Sequence, residues 1–276
     1  MTRKLRVGLI QMRSGLDPAA NRAQAEPYLR EAAQAGARLI VTPEMSLRLD
    51  RDRERMIAAT LPEEEEPELR KWAGLARELG VWLVLGSAGV SVGADKIANR
   101  CIVYDPDGKA AARYDKINMF DVTLGGGEAY RESDTIAPGS AAKLVAGPMG
   151  AKIGLSICYD LRFPKLYRAL GAAGAEILTV PSAFTRPTGD AHWEVLLRAR
   201  AIENNAFVLA PAQGGRHEDG RSTWGRTMIV DPWGKVLGKL DHDEPGLLVA
   251  DLDLDQVAAM REKIPAWRGG REFEGP

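Results

Sequence analysis

Short apolar runs alternate with helix-length amphipathic segments through most of this chain, and that alternation is what limits the folds open to it. Val7, Leu9 and Ile10 mark a strand over residues 5–12. An Ala-rich stretch with interspersed charges, residues 18–36, ends in glycine and predicts a helix. A strand over 37–42 runs into Pro43-Glu44. Residues 62–80 predict a second helix, opened by the acidic run 63–66, which suits the positive end of a helix dipole and reads as a solvated first turn. A strand over 81–90 follows. Two hairpins then break the rhythm, one around Asp105-Pro106-Asp107-Gly108 and one around Asp231-Pro232-Trp233-Gly234. Between them come strands at 152–157, 176–180 and 207–211, with helices at 164–174 and 190–205. Strand–helix alternation with hairpins predicts an α/β protein whose sheet is mixed. No linker, low-complexity tract or repeat stands out. One domain over residues 1–276 is expected, with 255–276 as a C-terminal tail.

Charge and composition exclude several classes of function. Lys and Arg total 37 against 38 Asp and Glu, a formal net charge of -1. That balance offers no bulk attraction for nucleic acid or for an anionic membrane. No stretch approaches the roughly 18 apolar residues of a membrane span, and the apolar run after the first residues is too short for a signal-peptide core, so a cytoplasmic location is expected. Two cysteines and three histidines, scattered without paired spacing, make a poor zinc site.

The segment Lys152-Ile153-Gly154-Leu155-Ser156-Ile157-Cys158-Tyr159-Asp160 carries the most chemistry. An apolar strand ends at a cysteine, and open α/β sheets place ligands beyond the carboxyl ends of their strands. A thiol held there can act as a nucleophile, with the following backbone N–H groups aimed at an oxyanion. Taken alone, such a cysteine is more often a small buried hydrophobe. A nucleophilic thiol needs a partner that takes its proton. His192, His217 and His242 offer one class of partner, although no spacing demands it. Carboxylates offer another: Glu44 also follows a strand end. Lys116 lies just past the first hairpin. In isolation Glu44 reads as a loop acid and Lys116 as a surface lysine.

Together these segments resemble the nitrilase superfamily of carbon–nitrogen hydrolases. Thr42-Pro43-Glu44, then Tyr114-Asp115-Lys116-Ile117 with Phe120-Asp121, then Cys158-Tyr159-Asp160-Leu161-Arg162-Phe163-Pro164 match its Glu, Lys and Cys segments in that order. Tyr130-Arg131-Glu132-Ser133, followed by Pro138-Gly139, is similar to the segment carrying a second active-site glutamate. The resemblance runs from about residue 5 to about residue 254. Ala191-His192-Trp193-Glu194, Gln213-Gly214-Gly215-Arg216-His217 and Val230-Asp231-Pro232-Trp233-Gly234 are similar to the branch that contains deaminated glutathione amidase. Omega-amidase is the next relative. The chain departs from that branch at Asn118-Met119, at Gly225-Arg226-Thr227 and in its tail. These departures leave the triad untouched and bear on substrate identity.

The resemblance implies a four-layer αββα sandwich with two mixed sheets, and a homodimer or higher homo-oligomer. It implies a triad of Glu44, Lys116 and Cys158, with Cys158 forming a thioester, Glu44 as general base, and Lys116 with the Tyr159 N–H stabilising the oxyanion. Glu132 is then a support for substrate or for Lys116. No metal or organic cofactor is required. The implied substrate is a small carboxylate-bearing amide. Arg162 and Arg198 are candidate cationic contacts for it, Arg162 being equally open to a scaffold pairing with Asp160. His192 and Trp193 fall near the pocket mouth, though Trp193 reads better as packing. Gly125-Gly126-Gly127-Glu128 lacks the Gly-Lys-Ser/Thr ending of a phosphate loop and is expected to be an active-site loop. Other readings are an N-carbamoyl amine hydrolase or omega-amidase, a catalytically idle scaffold, and a redox protein pairing Cys101 with Cys158.

Overall fold

A computed structural model describes residues 3–124, 129–268 and 270–275, so the Gly125–Glu128 loop lies outside the described residues. In chain order the elements are β1 (Lys4–Gln11), α1 (Pro18–Gln34), β2 (Leu39–Val41), α2 (Arg53–Ala59), α3 (Pro67–Leu79), β3 (Trp82–Ser91), β4 (Ile97–Tyr104) and β5 (Ala110–Asp115). There follow β6 (Asp121–Thr123), β7 (Ala129–Arg131), β8 (Leu144–Ala146), β9 (Lys152–Leu155), α4 (Pro164–Ala172), β10 (Ile177–Thr179) and α5 (Arg186–Asn204). The last are β11 (Phe207–Ala210), β12 (Gly214–Arg216), β13 (Ser222–Trp224), β14 (Met228–Val230), β15 (Val236–Lys239), β16 (Gly246–Asp253) and α6 (Asp255–Lys263).

Among the described residues, the strands form two six-stranded sheets, ordered β16-β1-β2-β3-β4-β5 and β15-β14-β11-β10-β9-β8, and two short ribbons, β6-β7 and β12-β13. Period-two alternation decides which way each strand faces. Leu5, Val7 and Leu9 of β1 join a core that also holds Ile153, Leu155 and Ile177 of the second sheet. Ile10 and Met12 point the other way, into a core shared with Leu29 of α1 and Trp72 of α3. Gly8 lies on that outer face because a Cβ there would sit 2.8 Å from the Ala32 methyl. On the far side, Leu166 and Leu170 of α4 and Leu197 of α5 cover the second sheet. The layers are therefore helix, sheet, sheet, helix, as the family resemblance implied.

The sequence suggested no repeat, but the topology has one. Read from its β16 edge, the first sheet pairs antiparallel, parallel, parallel, antiparallel, antiparallel. Read from its β8 edge, the second sheet does the same. The two hairpin turns also correspond. Asp105 Oδ1 accepts the N–H groups of Asp107 and Lys109, and Asp231 Oδ1 accepts those of Trp233 and Lys235. Gly108 and Gly234 take the left-handed φ that closes each turn.

Other expectations shift by a few residues. The second helix begins at Pro67, because residues 62–66 form a turn and Glu66 caps α3 by accepting the Glu68 N–H. The acidic run is therefore more than a solvated turn: Glu63 also pairs with Arg100 and Arg113. α5 starts at Arg186, earlier than Asp190, since Pro187 costs nothing in a first turn whose N–H groups have no partner. The stretch read as a tail opens with α6 and bonds back to the body: Arg261 donates to the Ala175 carbonyl and Arg168 to that of Ala266. No helix among the described residues is long and apolar enough to cross a membrane.

His217, on the β12–β13 ribbon, is buried between the Ser14 carbonyl (2.9 Å from Nδ1) and the Thr223 hydroxyl (2.6 Å from Nε2). Burial pushes its imidazolium down to about 4, and the nearby Arg221 adds to that. In the unfolded chain the ring titrates near 6.5. The stability it contributes is complete above about pH 6.5 and is lost as pH falls towards about 4, amounting to about 3 kcal/mol in all. Between pH 7.5 and pH 5.0, urea unfolding should show wild type losing about 2 kcal/mol more than His217→Gln. Equal losses in the two proteins would remove His217 as the cause.

Candidate active site

Strand ends from both sheets deliver the site. Beyond β2 the chain turns sharply at Thr42-Pro43-Glu44. Ser46 donates to the Pro43 carbonyl, and the Gly86 N–H donates to Thr42 Oγ1. Gly86 permits this approach, because a Cβ there would lie 1.9 Å from the Thr42 carbonyl oxygen and 2.6 Å from Pro181 Cβ. Lys116 follows β5, its backbone N–H bound to the Asn99 carbonyl of β4. Beyond β9, Cys158 opens a single 3-10 turn, Cys158–Arg162, with φ at 48°. Met45, next to Glu44, is also left-handed, at 55°. Such a conformation costs a non-glycine residue about 1–2 kcal/mol, and here it occurs on both sides of the reacting groups.

Glu44, Lys116 and Cys158 are all buried, with relative exposures of 5%, 2% and 8%. Lys116 Nζ lies 2.9 Å from Glu44 Oε1, and 2.8 and 2.9 Å from the two oxygens of Glu132. Asn99 Nδ2 donates to Glu44 Oε1 at 2.9 Å, and the Phe120 N–H donates to Glu132 Oε2 at 2.6 Å. Burial alone would push the ammonium down, but the carboxylates of Glu132 and Glu44 outweigh it and hold Lys116 well above its ordinary value. Burial and then the Glu44 charge push the Cys158 thiol well up, against Lys116 and the Ala183 N–H, which favour the thiolate. At neutral pH the resting site therefore pairs a neutral thiol, within hydrogen-bonding range of Glu44, with a charged lysine. The first bond of the 3-10 turn is donated by Asp160 N to Ile157 O, which leaves the Tyr159 N–H ahead of the turn's own bonding.

Asp160 organises the backbone around these groups. It is fully buried and accepts from Ile157 N, the Tyr114 hydroxyl, Asn118 N and Asn118 Nδ2. The nucleophile's turn is thereby tied to both sides of Lys116. The pairing of Arg162 with Asp160 does not occur, because those four donors occupy the carboxylate. Arg162 instead lies over the rings of Tyr159 and Phe184, with Nη1 3.2 Å from His192 Nδ1. His192 is exposed and reaches the site only through Arg162. Arg198 is not at the site, since its Nε donates to the Gly234 carbonyl on the outer face of α5. Trp193 is packing, buried against Phe184 and bonded to the Arg226 carbonyl. Both cysteines are free, and Cys101 is wholly buried in β4.

The triad, Glu132 and Arg162 open into a cleft of about 460 Å³. Its walls include Arg51 and Arg53, which the sequence reading missed. Asp50-Arg51-Asp52-Arg53-Glu54-Arg55 looks like a solvated charge run, and only the fold brings two of its exposed arginines to the cleft. The signal available was its position, a few residues after the Glu44 strand end. Among the described residues no cluster of His, Cys, Asp and Glu has metal-ligating geometry.

Comparison with known proteins agrees with this geometry. The family model described as carbon-nitrogen hydrolase matches residues 6–262. Deaminated glutathione amidase of Yersinia enterocolitica is 40% identical over 273 residues, covering 96% of this chain and 92% of that protein. Among solved structures, the C. elegans NitFhit protein superposes with a TM-score of 0.89 at 34% identity, covering 98% of this chain and 66% of that one. Saccharomyces cerevisiae Nit3, a member of branch 10 of the nitrilase superfamily, gives 0.84 at 27% identity, covering 95% and 94%. A Glu–Lys–Cys cluster at the meeting edges of two mixed sheets, in a chain with these relatives, belongs to the carbon–nitrogen hydrolase family, and the protein is an enzyme that hydrolyses carbon–nitrogen amide bonds.

Proposed function

We propose that the chain hydrolyses the amide bond of deaminated glutathione, or of a close analogue with a carboxylate on the acyl group, through a thioester on Cys158. The observation that carries this reading is the thiol held beside Glu44 and Lys116 at the base of a cleft walled by Arg162, Arg51 and Arg53. Among the described residues, none of these three arginines has a carboxylate partner. The relatives named deaminated glutathione amidase support the same substrate.

Each group has one task. Glu44 takes the thiol proton as Cys158 Sγ attacks the amide carbon, so no free thiolate has to accumulate. The carbonyl oxygen becomes an oxyanion, met by Lys116 and by the Tyr159 N–H; one such donor is typically worth about 3–4 kcal/mol. At rest, the three ammonium protons face Glu44 and both Glu132 oxygens. One of the two Glu132 contacts can swing to the oxyanion while the Phe120 N–H keeps Glu132 in place. Glu44 returns its proton to the departing nitrogen, and the C–N bond breaks. Water then attacks the thioester with Glu44 again as base; the C–S bond breaks and the acid and free thiol are released. Glu132 is assigned to holding Lys116, and Arg162 to the acyl carboxylate. His192 is assigned to steadying Arg162.

We also propose a homodimer in the cytoplasm. Val195 and Ile202, one heptad apart on α5, and Trp233 in the adjoining β14–β15 turn expose 67%, 49% and 60% of their surface. Apolar side chains grouped in this way support burial against a second copy. Two free cysteines suit a reducing compartment.

Amine or ammonia release should be measured on deaminated glutathione, 2-oxoglutaramate, an N-carbamoyl amine and a simple nitrile. Wild type should favour the first, Cys158→Ala should release nothing, and Glu44→Gln should lose about 10²–10⁴-fold in kcat. Equal release by wild type and Cys158→Ala would sink the thioester. A preference for 2-oxoglutaramate would move the assignment to omega-amidase. By sedimentation, wild type should be a dimer and the Val195→Glu/Ile202→Glu variant a monomer; a monomeric wild type would overturn the dimer.

A further inference from the structure

We propose that the cleft holds two separate carboxylate sites, and that Arg51 with Arg53 forms the second, for a carboxylate carried by the departing amine. This inference rests on the amidase reading above and goes further in naming the residues that hold the departing amine.

The direction of departure follows from the proton. Glu44 protonates the leaving nitrogen, so the amine lies on the Glu44 side of the scissile bond. From Glu44 the chain itself continues along the cleft wall through Met45 and Leu49 to Arg51 and Arg53. Met45, Leu49 and Met56 belong to a small apolar cluster of their own. The wall beside the leaving group is thus apolar first and cationic after. Arg162 sits on the nucleophile's own turn, four residues past Cys158, and is assigned to the acyl side.

The charges on the Arg51–Arg53 segment leave those two arginines available. Asp50 is held by two bonds from Arg55, at 2.5 and 2.7 Å, and by the Asp52 N–H. Asp52 caps α2 by accepting the Arg55 N–H. Arg221, on the neighbouring loop, is paired with Asp219. Arg53 donates to the Asp134 carbonyl alone, and Arg51 has no hydrogen bond or ion pair among the described residues. The Arg51 guanidinium rests beside Gly220, 3.5 Å from where a Cβ would stand. A long cation without a partner, on the wall of a catalytic cleft, fits an anionic group brought by substrate. The amine half of deaminated glutathione, which ends in a carboxylate, fits a wall that is apolar first and cationic after.

The test compares deaminated glutathione with the same compound carrying an N-methylamide in place of its glycine carboxylate. Wild type should prefer the acid by about tenfold or more in kcat/KM, mainly through KM, because a contact present in ground and transition states alike moves KM. In Arg51→Gln/Arg53→Gln that preference should fall to near one, with Arg51→Lys between. Arg162→Gln should slow both compounds and keep the preference. If wild type hydrolyses both compounds equally, or the double variant keeps the preference, the second site is refuted while the amidase reading stands. If wild type hydrolyses neither, both fall.

Discussion

An ammonium group with 2% exposure cannot be left without oxygen atoms, and Lys116 sets the terms for everything around it. Removing such a charge from water costs several kcal/mol unless partners replace the lost hydration. Its partners come from separate parts of the chain, Glu44 beyond β2 and Glu132 beyond β7, and Asn99 of β4 donates to Glu44 as well. Two carboxylates against one ammonium leave the cluster with an excess negative charge, and that excess helps keep the adjacent thiol protonated. A nucleophile that waits as a neutral thiol is protected from stray electrophiles. It becomes reactive only when a carbonyl is positioned for attack and the proton has somewhere to go.

The two half-structures explain how such distant residues meet. Each sheet has the same run of parallel and antiparallel pairings, and face-to-face packing brings the loops at their strand ends together. One sheet supplies Glu44 and Lys116, the other Cys158 and the Ala183 N–H that touches its sulfur. Gly86 lets the loops of both sheets approach within van der Waals distance, and Asp160 fastens the cysteine's turn to the segment around Lys116.

Much of this could be read from the amino-acid order because chemistry and strand ends coincide. Glu44, Lys116 and Cys158 each follow a strand or hairpin whose pattern is plain, but read singly they are a loop acid, a surface lysine and a buried thiol; the resemblance of the three segments to one family is what joins them, and Glu132 with them. What stayed hidden depends on long-range placement. Arg51 and Arg53 sit in an exposed charge run whose place at the cleft is decided by α2 and the Asp50–Arg55 pair, not by local pattern. Asp160 invites pairing with the arginine two residues away, yet its partners lie more than 40 positions earlier at Tyr114 and Asn118. Arg198 has the charge a carboxylate needs, but helical phase puts it on the outer face of α5. The repeated topology escaped notice because the halves share pairing order and one turn, and little residue identity.

The pairing of β1 with β16 joins Lys4 to Asp253, nearly the full length of the chain. Until the last of these strands has left the ribosome, β1 presents an open edge, and open edges are templates for aggregation. A nascent chain stalled before residue 246 would carry all the catalytic residues yet lack the strand that seals the sheet bearing Glu44. A holding chaperone is needed, if at all, in the interval when β1 is made and β16 is not.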